Sequence, residues 1–153
     1  MTEKNKILTK VVNKRFAQGK GEYEDVISSI EKKGKCPFCP ENFKYHKEPI
    51  LKKENGWLIT KNSWPYENTE NHLVIIGEKH KENFNELTDS DFITVRKLVD
   101  WATKKFKIKG GGLSLRFGDT DHTGATVCHL HFHLISPKLD KDGKAKTVYF
   151  PIG

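Results

Sequence analysis

The chain has 153 residues, with 27 lysines and arginines against 20 aspartates and glutamates, and a formal net charge of +7. This length suits one domain with its own hydrophobic core and removes the need for disulfides. We expect no membrane partner and a cytoplasmic location. No run approaches the roughly 20 apolar residues of a membrane helix, the charged N-terminus does not resemble a signal peptide, and three cysteines are an odd count. The positive charge favours polyanionic partners or reflects a lysine-rich surface.

The first half of the chain predicts two helices followed by short strands. Apolar side chains recur at helical spacing over residues 1–19, and again over residues 22–33 up to Gly34. Short β-branched segments then follow, with a Pro- and Asn-containing loop between the last two. The predicted strands cover 48–51, 57–60 and 72–76, and the loop covers 62–66.

The second half predicts one long helix and further strands. Apolar positions with helical spacing fill residues 88–106, where Thr88 is a candidate N-cap. The strands are predicted over 113–117, 127–135 and 147–150, with a polar loop over 118–125. Because strands adjacent in sequence enclose a single main helix, we predict an α+β domain with an antiparallel sheet of about five strands. A helical extension occupies 1–35, the domain 36–138, and a tail that could add an edge strand 139–153.

Three histidines alternate with apolar residues near the end of the domain. In a strand, successive side chains point to opposite faces, so His129, His131 and His133 would share one face. In a helix they would diverge and form no common site. Imidazoles in a row can serve as nucleophile, acid, base or metal ligand. A purely structural metal site built from two or three of these histidines remains an alternative.

The loop before the histidines is rich in groups that suit phosphate. Arginine offers charge-assisted hydrogen bonds, glycine lets backbone N–H groups approach, and threonine offers a hydroxyl. An imidazole nucleophile beside such donors would suit attack at phosphorus, because fixed donors stabilise the charge of the transition state. These loop residues are Arg116, Gly118, Thr123, Gly124 and Thr126.

A Cys-Pro-Phe-Cys segment lies at the start of the domain. Cys36 and Cys39 have the spacing of a redox motif, but such a motif needs a preceding strand, and the preceding residues read as helix. The alternative is half of a tetrahedral zinc site, whose other ligands must come from distant histidines. Cys128 is one residue out of phase with the histidines, and we expect it to be a packed core thiol.

Three segments resemble the histidine triad (HIT) family. Residues 124–135, Gly-Ala-Thr-Val-Cys-His-Leu-His-Phe-His-Leu-Ile, resemble its signature of three histidines separated by apolar residues. Residues 72–80 are similar to its His-x-Leu-Val-Ile-Pro-x-x-His segment, with Gly77 where proline is usual. Residues 62–65, Asn-Ser-Trp-Pro, resemble its ribose-contacting turn. The resemblance covers residues 36–137 and implies a HIT domain with a HIT-like sheet.

The resemblance implies a chemistry and roles for particular residues. The central histidine, His131, would attack the α-phosphate of a nucleotide and form a nucleotidyl-imidazole that water resolves. His133 would contact the phosphate, and Thr126 would replace the serine of the family. Asn62 would bind ribose, while Trp64 would stack on a base or pack beside Pro65. Departures at Arg116 and Ala125, where the family often has Asn and Gln, affect the leaving-group contacts. The expected substrate-binding set is Asn62, Trp64, Arg116, Gly124, Thr126 and His133, and the expected catalytic set is His131, His133 and Thr126.

The family also implies a metal and a partner. Some HIT proteins and related uridylyltransferases hold zinc on two cysteines and two histidines. Carried to this chain, in the manner of a zinc-containing bacterial-type branch, the ligands of this closed structural site are Cys36, Cys39, His80 and His129. The family further implies a homodimer.

The expected function is hydrolysis of dinucleoside polyphosphates or nucleoside phosphoramidates at the α-phosphate. His133 favours hydrolysis, because transferases of the family often have Gln there. Three alternatives remain: a nucleotidyltransferase or phosphorylase, a non-catalytic nucleotide-binding zinc module, and an enzyme that processes nucleic-acid ends. The last is disfavoured because no second zinc module is present, so a nucleic-acid partner is not expected.

Overall fold

The fold is built on one antiparallel sheet. The computed structural model describes residues 11–13 and 21–153, so the helix predicted over 1–19 lies almost wholly outside the described residues. The strands are β1 (Ile50–Glu54), β2 (Trp57–Lys61), β3 (Thr69–Gly77), β4 (Gly112–Leu115) and β5 (His131–Pro137), and the helices are α1 (Glu22–Lys33), α2 (Asp89–Lys105) and α3 (Thr120–Thr123). All neighbouring strands are antiparallel, in the order β1-β2-β3-β5-β4. The predicted α+β class with five strands and one main helix is confirmed.

Helix α2 covers one face of the sheet. The Thr88 hydroxyl accepts the backbone N–H of Asp91, as predicted for an N-cap, and the Asp91 carboxylate accepts the N–H of Thr88 in return. The apolar side of α2 packs on the inward residues of β2, β3 and β5, and Trp57 joins this core. The buried residues of this layer are Trp57, Ile59, Leu73, Ile75, Val95, Leu98, Ala102, Phe132 and Leu134. Trp101 packs at its edge, half-buried.

The opposite face of the sheet carries the histidines of β5. His131 is paired with Ile76 and His133 with Val74, whereas Phe132 is paired with Ile75 in the α2 layer. Because side chains alternate along a strand, His131 and His133 point away from α2. Val74 and Ile76 form an apolar cluster there with Leu58, Phe38 and Phe43. This face holds the candidate site.

Strand β5 begins four residues later than predicted. The predicted strand over 127–135 starts at His131, because the preceding residues pair with the segment 11–13 instead of with the sheet. The Asn13 N–H donates to the Thr126 carbonyl over 2.7 Å, and the Cys128 N–H donates to the Val11 carbonyl over 2.9 Å. His129 therefore precedes the strand, and the prediction that all three histidines share one strand face is wrong for His129.

Other elements differ from prediction at their ends or in kind. The polar loop over 118–125 contains the short helix α3, whose N-cap Asp119 accepts the N–H of Asp121. Residues 147–150 form no strand, and the tail has one antiparallel bridge, between Leu139 and Ala145. A Cβ at Gly111 would lie 2.3 Å from the Ile135 carbonyl oxygen, so this position before β4 needs glycine. Among the described residues, no helix is both long and apolar enough to span a membrane.

Candidate active site and metal cluster

A pocket of about 530 Å³ opens on the histidine face of the sheet. One wall is β5 with the preceding loop, a second is the turn after β2, and a third is α1 with the Cys-Pro-Phe-Cys turn. All seven residues predicted to bind substrate or act in catalysis line it: Asn62, Trp64, Arg116, Gly124, Thr126, His131 and His133. Their common location is a structural observation, while their roles remain predictions.

His131 is held in one orientation by its neighbours. Its Nδ1 lies 2.6 Å from the His129 carbonyl oxygen, so Nδ1 carries the hydrogen and donates it. Nε2 is then the nitrogen with a free lone pair. The ring meets Phe38 edge-on, with centroids 4.9 Å apart. Burial lowers the pKa of His131 to about 4, so the imidazole is neutral at physiological pH. A neutral, oriented imidazole is suited to nucleophilic attack.

His133 is part of a chain of hydrogen bonds that begins at the backbone. The Tyr66 N–H donates to Nδ1 of His72 over 3.0 Å, so this neutral ring must carry its hydrogen on Nε2. Nε2 of His72 lies 2.8 Å from Nδ1 of His133 and donates to it. His133 must then carry its own hydrogen on Nε2. Burial lowers the pKa of His72 to about 4 and that of His133 well below its usual range, so both rings are neutral.

The last donor in this series of hydrogen bonds, the Nε2–H of His133, has no partner among the described residues. Nε2 of His133 is buried, and no side chain or backbone group in the described part of the protein bonds to it. A buried donor without a partner costs about 1–3 kcal/mol. Since His133 lines the pocket, its N–H is available for an acceptor that enters there, such as a phosphate oxygen.

The loop before β5 supplies further groups. Gly124 ends α3 in a left-handed conformation with φ 74°, which favours glycine. Thr126 lines the pocket together with Tyr23 of α1. Arg116, after β4, donates from Nε to the Pro151 carbonyl over 2.8 Å and from its terminal nitrogen to the Tyr66 hydroxyl over 3.0 Å. These bonds fix the guanidinium at the rim of the pocket.

The turn after β2 is shaped by Asn62. Its Oδ1 accepts the Trp64 N–H over 2.7 Å, which fixes the side-chain amide. Its Nδ2 lies 3.2 Å from Nε2 of His72. Because that nitrogen already gives its hydrogen to His133, this contact joins two N–H groups and is not a hydrogen bond. Trp64 packs against Tyr23, with ring centroids 5.3 Å apart, and the Lys47 ammonium lies 4.5 Å from its ring. In this structure the neighbours of Trp64 are thus an aromatic ring and a cation.

Next to the pocket, four candidate metal ligands converge. One ligand atom from each of them lies within 4.8 Å of the others. The residues are Cys36, Cys39, His80 and His129. The separations are 3.2 Å between the two Nδ1 atoms, 3.3 Å from Cys36 Sγ to His129 Nδ1, and 3.5 and 3.8 Å from Cys39 Sγ to Nδ1 of His80 and of His129. Ligands at about 2.0–2.3 Å from a tetrahedral zinc ion lie about 3.3–3.8 Å apart, so these spacings fit zinc.

In both histidines of the cluster, His80 and His129, the outer nitrogen, Nε2, also has a hydrogen-bond partner. Nε2 of His129 donates to the Gly77 carbonyl, and Nε2 of His80 lies 3.0 Å from the Glu82 carboxylate. Each ring therefore presents an unprotonated Nδ1 to the cluster, as a metal ligand must. Burial raises the pKa of the Cys36 thiol to about 12, so a thiolate there needs a compensating cation. The departure of His129 from the strand is what brings it to the cysteines.

Three residues of the site were not predicted to act in it. Tyr23 lies in the predicted helical extension, and Tyr66 lies in the predicted loop over 62–66. His72, the first residue of the segment 72–80, is buried and hydrogen-bonded, and its link to His133 depends on the pairing of β3 with β5. Cys128 is half-buried, with Sγ 4.0 Å from the Thr120 hydroxyl, and it lies outside the metal cluster.

A family model matches residues 35–149, three quarters of the chain, and its description is "Scavenger mRNA decapping enzyme C-term binding". The chain belongs to this family. A search of curated proteins finds no similar sequence. The expectation that the protein is an enzyme is confirmed.

Solved structures of HIT proteins share the fold. A HIT family hydrolase from Clostridium thermocellum is 26% identical, with a TM-score of 0.54, over 68% of this chain and 90% of its own. A histidine triad nucleotide-binding protein from Candida albicans is 22% identical, with a TM-score of 0.57, over 78% and 85%. A zinc-bound histidine triad family protein from Mycobacterium smegmatis is 16% identical, with a TM-score of 0.53, over 74% and 81%. The expected HIT fold is confirmed.

Proposed function

We propose that the protein is a nucleotidyl hydrolase that acts at the α-phosphate of dinucleoside polyphosphates or nucleoside phosphoramidates. The observation that carries the proposal is the pairing of two neutral imidazoles in one pocket. His131 offers a lone pair on Nε2, and His133 offers an unpartnered N–H. A nucleophile beside a fixed hydrogen-bond donor is the arrangement that displacement at phosphorus requires.

The reaction proceeds in two displacements. In the first, the Nε2 lone pair of His131 forms a bond to the α-phosphorus, and the bond to the leaving group breaks. The leaving group departs with that electron pair and takes up a proton. In the second, water attacks the phosphorus, loses a proton and displaces the imidazole. The nucleoside monophosphate leaves, and His131 returns to its neutral state.

The other pocket residues bind and orient the nucleotide. The His133 N–H, the Thr126 hydroxyl and the backbone at Gly124 face the α-phosphate. Arg116 adds positive charge on the leaving-group side, where its bonds to Tyr66 and Pro151 limit its freedom. On the nucleoside side, Asn62 meets the ribose hydroxyls and Trp64 lies beside the base.

We infer that zinc occupies the cluster of Cys36, Cys39, His80 and His129 as a structural ion. Its support is the tetrahedral spacing of the four ligand atoms and the bonded outer nitrogens of both histidines. When bound, the ion stabilises the two thiolates and ties the Cys-Pro-Phe-Cys turn to the loop before β5. It would hold the His129 carbonyl, and that carbonyl orients His131. A thioredoxin-like role for the cysteines is not supported, because α1 precedes the motif and the 3-10 helix Pro40–Tyr45 follows it.

The decisive test of the function is capture of the covalent intermediate. Wild-type protein, His131→Ala and His122→Ala are mixed with radiolabelled diadenosine triphosphate or adenosine phosphoramidate and quenched. His122 is an exposed histidine and serves as the matched control. We expect an acid-labile adduct and turnover in the wild type and the control, with both lost in His131→Ala. Turnover that survives in His131→Ala would refute the proposal. Binding of these nucleotides by the wild type without any turnover would favour a non-catalytic nucleotide-binding module.

The same assay separates hydrolase from transferase. Added inorganic phosphate should leave the products of a hydrolase unchanged, whereas a phosphorylase would release a nucleoside diphosphate. Because the family description concerns mRNA decapping, the substrate panel includes a capped dinucleotide, which is chemically a dinucleoside polyphosphate. Light scattering during the same preparation tests the predicted homodimer.

A further inference from the structure

The segment that follows Thr147 forms one wall of the pocket. Residues 148–153 lie in no helix or strand, and Pro151 lines the pocket beside Arg116. The Asn68 side chain anchors the start of the segment, because its Nδ2 donates to the Thr147 carbonyl over 3.1 Å. The family match ends at residue 149, so this wall, residues 150–153, lies beyond the matched domain.

The wall engages Arg116 in two ways. Nε of Arg116 donates to the Pro151 carbonyl over 2.8 Å, and its guanidinium carbon lies 3.9 Å from the centroid of the Phe150 ring. The second contact is a cation–π interaction. One face of the guanidinium is therefore covered by an aromatic ring, and one of its N–H groups is held by a backbone carbonyl.

The wall also lies against two other residues of the phosphate side. The Phe150 ring meets His133 edge to face, with centroids 5.1 Å apart. A Cβ at Gly124 would lie 2.9 Å from the Gly153 carbonyl oxygen, so these two backbone segments are in close contact. The wall thus borders the part of the pocket where the proposed reaction places the α-phosphate and its leaving group.

The size of the pocket bears on what can leave. Its volume of about 530 Å³ is in the range of sites that hold one small ligand, roughly 300–1,000 Å³. A nucleoside phosphoramidate releases only ammonia or an amine, which needs no space beyond the wall. A dinucleoside polyphosphate releases a second nucleotide, which must extend past Phe150 and Pro151. Its phosphates would bind the guanidinium of Arg116 only by competing with the contacts that this group already makes.

We propose that residues 150–153 determine leaving-group specificity: by closing the pocket beside Arg116, they favour nucleoside phosphoramidates over dinucleoside polyphosphates. The inference rests on the proposed hydrolysis, because it chooses between the two substrate classes named there. The covering of Arg116 is central to it, since a guanidinium that is free binds phosphate more strongly than it binds a neutral carbonyl.

The test uses the full chain with substitutions at Phe150. Phe150→Ala removes the ring, and Phe150→Leu keeps an apolar side chain without the cation–π contact. Tyr149→Ala, at the adjacent tyrosine that is 81% exposed, is the matched control. The first readout is kcat/KM on diadenosine triphosphate and on adenosine phosphoramidate. The second is calorimetric binding of inorganic pyrophosphate, which needs no turnover. Denaturant unfolding checks that each variant is folded.

We expect the wild type to have the higher kcat/KM on adenosine phosphoramidate. Phe150→Ala should bind pyrophosphate about twofold to tenfold more tightly, the value of one cation–π contact. The ratio of kcat/KM on diadenosine triphosphate to that on the phosphoramidate should rise by a similar factor. Phe150→Leu should change both in the same direction, and Tyr149→Ala should change neither. In an Arg116→Ala background, Phe150→Ala should alter pyrophosphate binding by less than about twofold, because the gain depends on the freed guanidinium.

The outcomes separate this inference from the proposed function. Weaker pyrophosphate binding in folded Phe150→Ala would show that the wall supports Arg116 instead of covering it, and would overturn the inference. An unchanged ratio of kcat/KM in an active enzyme would overturn it too, and so would a wild type that prefers diadenosine triphosphate. If Phe150→Ala does not fold, Phe150→Leu decides by the same criteria. Tighter pyrophosphate binding without turnover of either substrate would uphold the covering of Arg116 and refute the hydrolase.

Discussion

Substitutions at His72 test whether its hydrogen bond fixes the tautomer of His133. Its two ring nitrogens have separate tasks: Nδ1 accepts the Tyr66 N–H, and Nε2 donates to His133. Asparagine places its side-chain oxygen near the position of Nδ1, and glutamine places its amide nitrogen near the position of Nε2. His72→Asn should therefore keep the bond to Tyr66 and lose the bond to His133. His72→Gln should do the opposite.

The expected magnitudes follow from the buried partners that each variant leaves. His72 is 5% exposed, and His133 is equally buried. A buried group that loses its partner costs about 1–3 kcal/mol, so both variants should lose about that much unfolding free energy. Only His72→Asn leaves Nδ1 of His133 without a donor, so the His133 hydrogen can then sit on either ring nitrogen. If the transition state loses about 1–3 kcal/mol of stabilisation as a result, kcat/KM should drop about 5-fold to 150-fold. His72→Gln should stay within about fivefold of the wild type.

The assay combines steady-state hydrolysis with denaturant unfolding of both variants. Similar losses of stability with very different losses of kcat/KM are the expected result. If both variants lose activity equally, or if His72→Gln is the weaker enzyme, His72 does not act through the tautomer of His133. The hydrogen bonds from Tyr66 through His72 to His133 would then have a structural role only.

Three further predictions concern the metal, pH and the main helix. Glu82→Gln should weaken zinc affinity about 10-fold to 100-fold in chelator competition, because the carboxylate supports His80, whereas Glu67→Gln should not. Wild-type unfolding free energy should fall as pH drops from 6.5 to 4, because the unfolded state binds the proton first. His72→Gln should lose about 3 kcal/mol less over that range. Thr88→Ala should cost about 1 kcal/mol at the N-cap of α2, and an unchanged denaturation midpoint would contradict that.

Much of the fold follows from periodicity along the chain. The alternation of Leu130 to Leu134 predicts a strand with a histidine face, and the spacing in 88–106 predicts α2 with its Thr88 cap. These patterns are local, because they depend on which consecutive side chains reach the same side of one element. Element ends were less predictable. Strand β5 starts at His131 because residues 126–128 pair with 11–13, and no local pattern reports a partner more than 100 residues away.

In the candidate site, too, the sequence predicts some features and only the structure shows the others. The motifs were sufficient to name the seven pocket residues and the four candidate zinc ligands, because the residue types and their spacing are visible in the sequence. The hydrogen-bond partners of these residues could not be predicted from the sequence. His72 reaches His133 through the pairing of β3 with β5, and Tyr66 reaches His72 from the loop before β3.

The sequence by itself determined that imidazoles, thiols and a phosphate-suited loop belong to one HIT domain, because residue type and spacing carry that information. Only the tertiary structure decided which partners each imidazole has. His129 turns out of the sheet toward Cys36 and Cys39, His131 keeps its lone pair on Nε2, and the remaining donor of His133 is directed by His72. The physical reason is that a histidine's function depends on which of its two nitrogens holds the hydrogen. That choice is made by partners that only folding brings within about 3 Å.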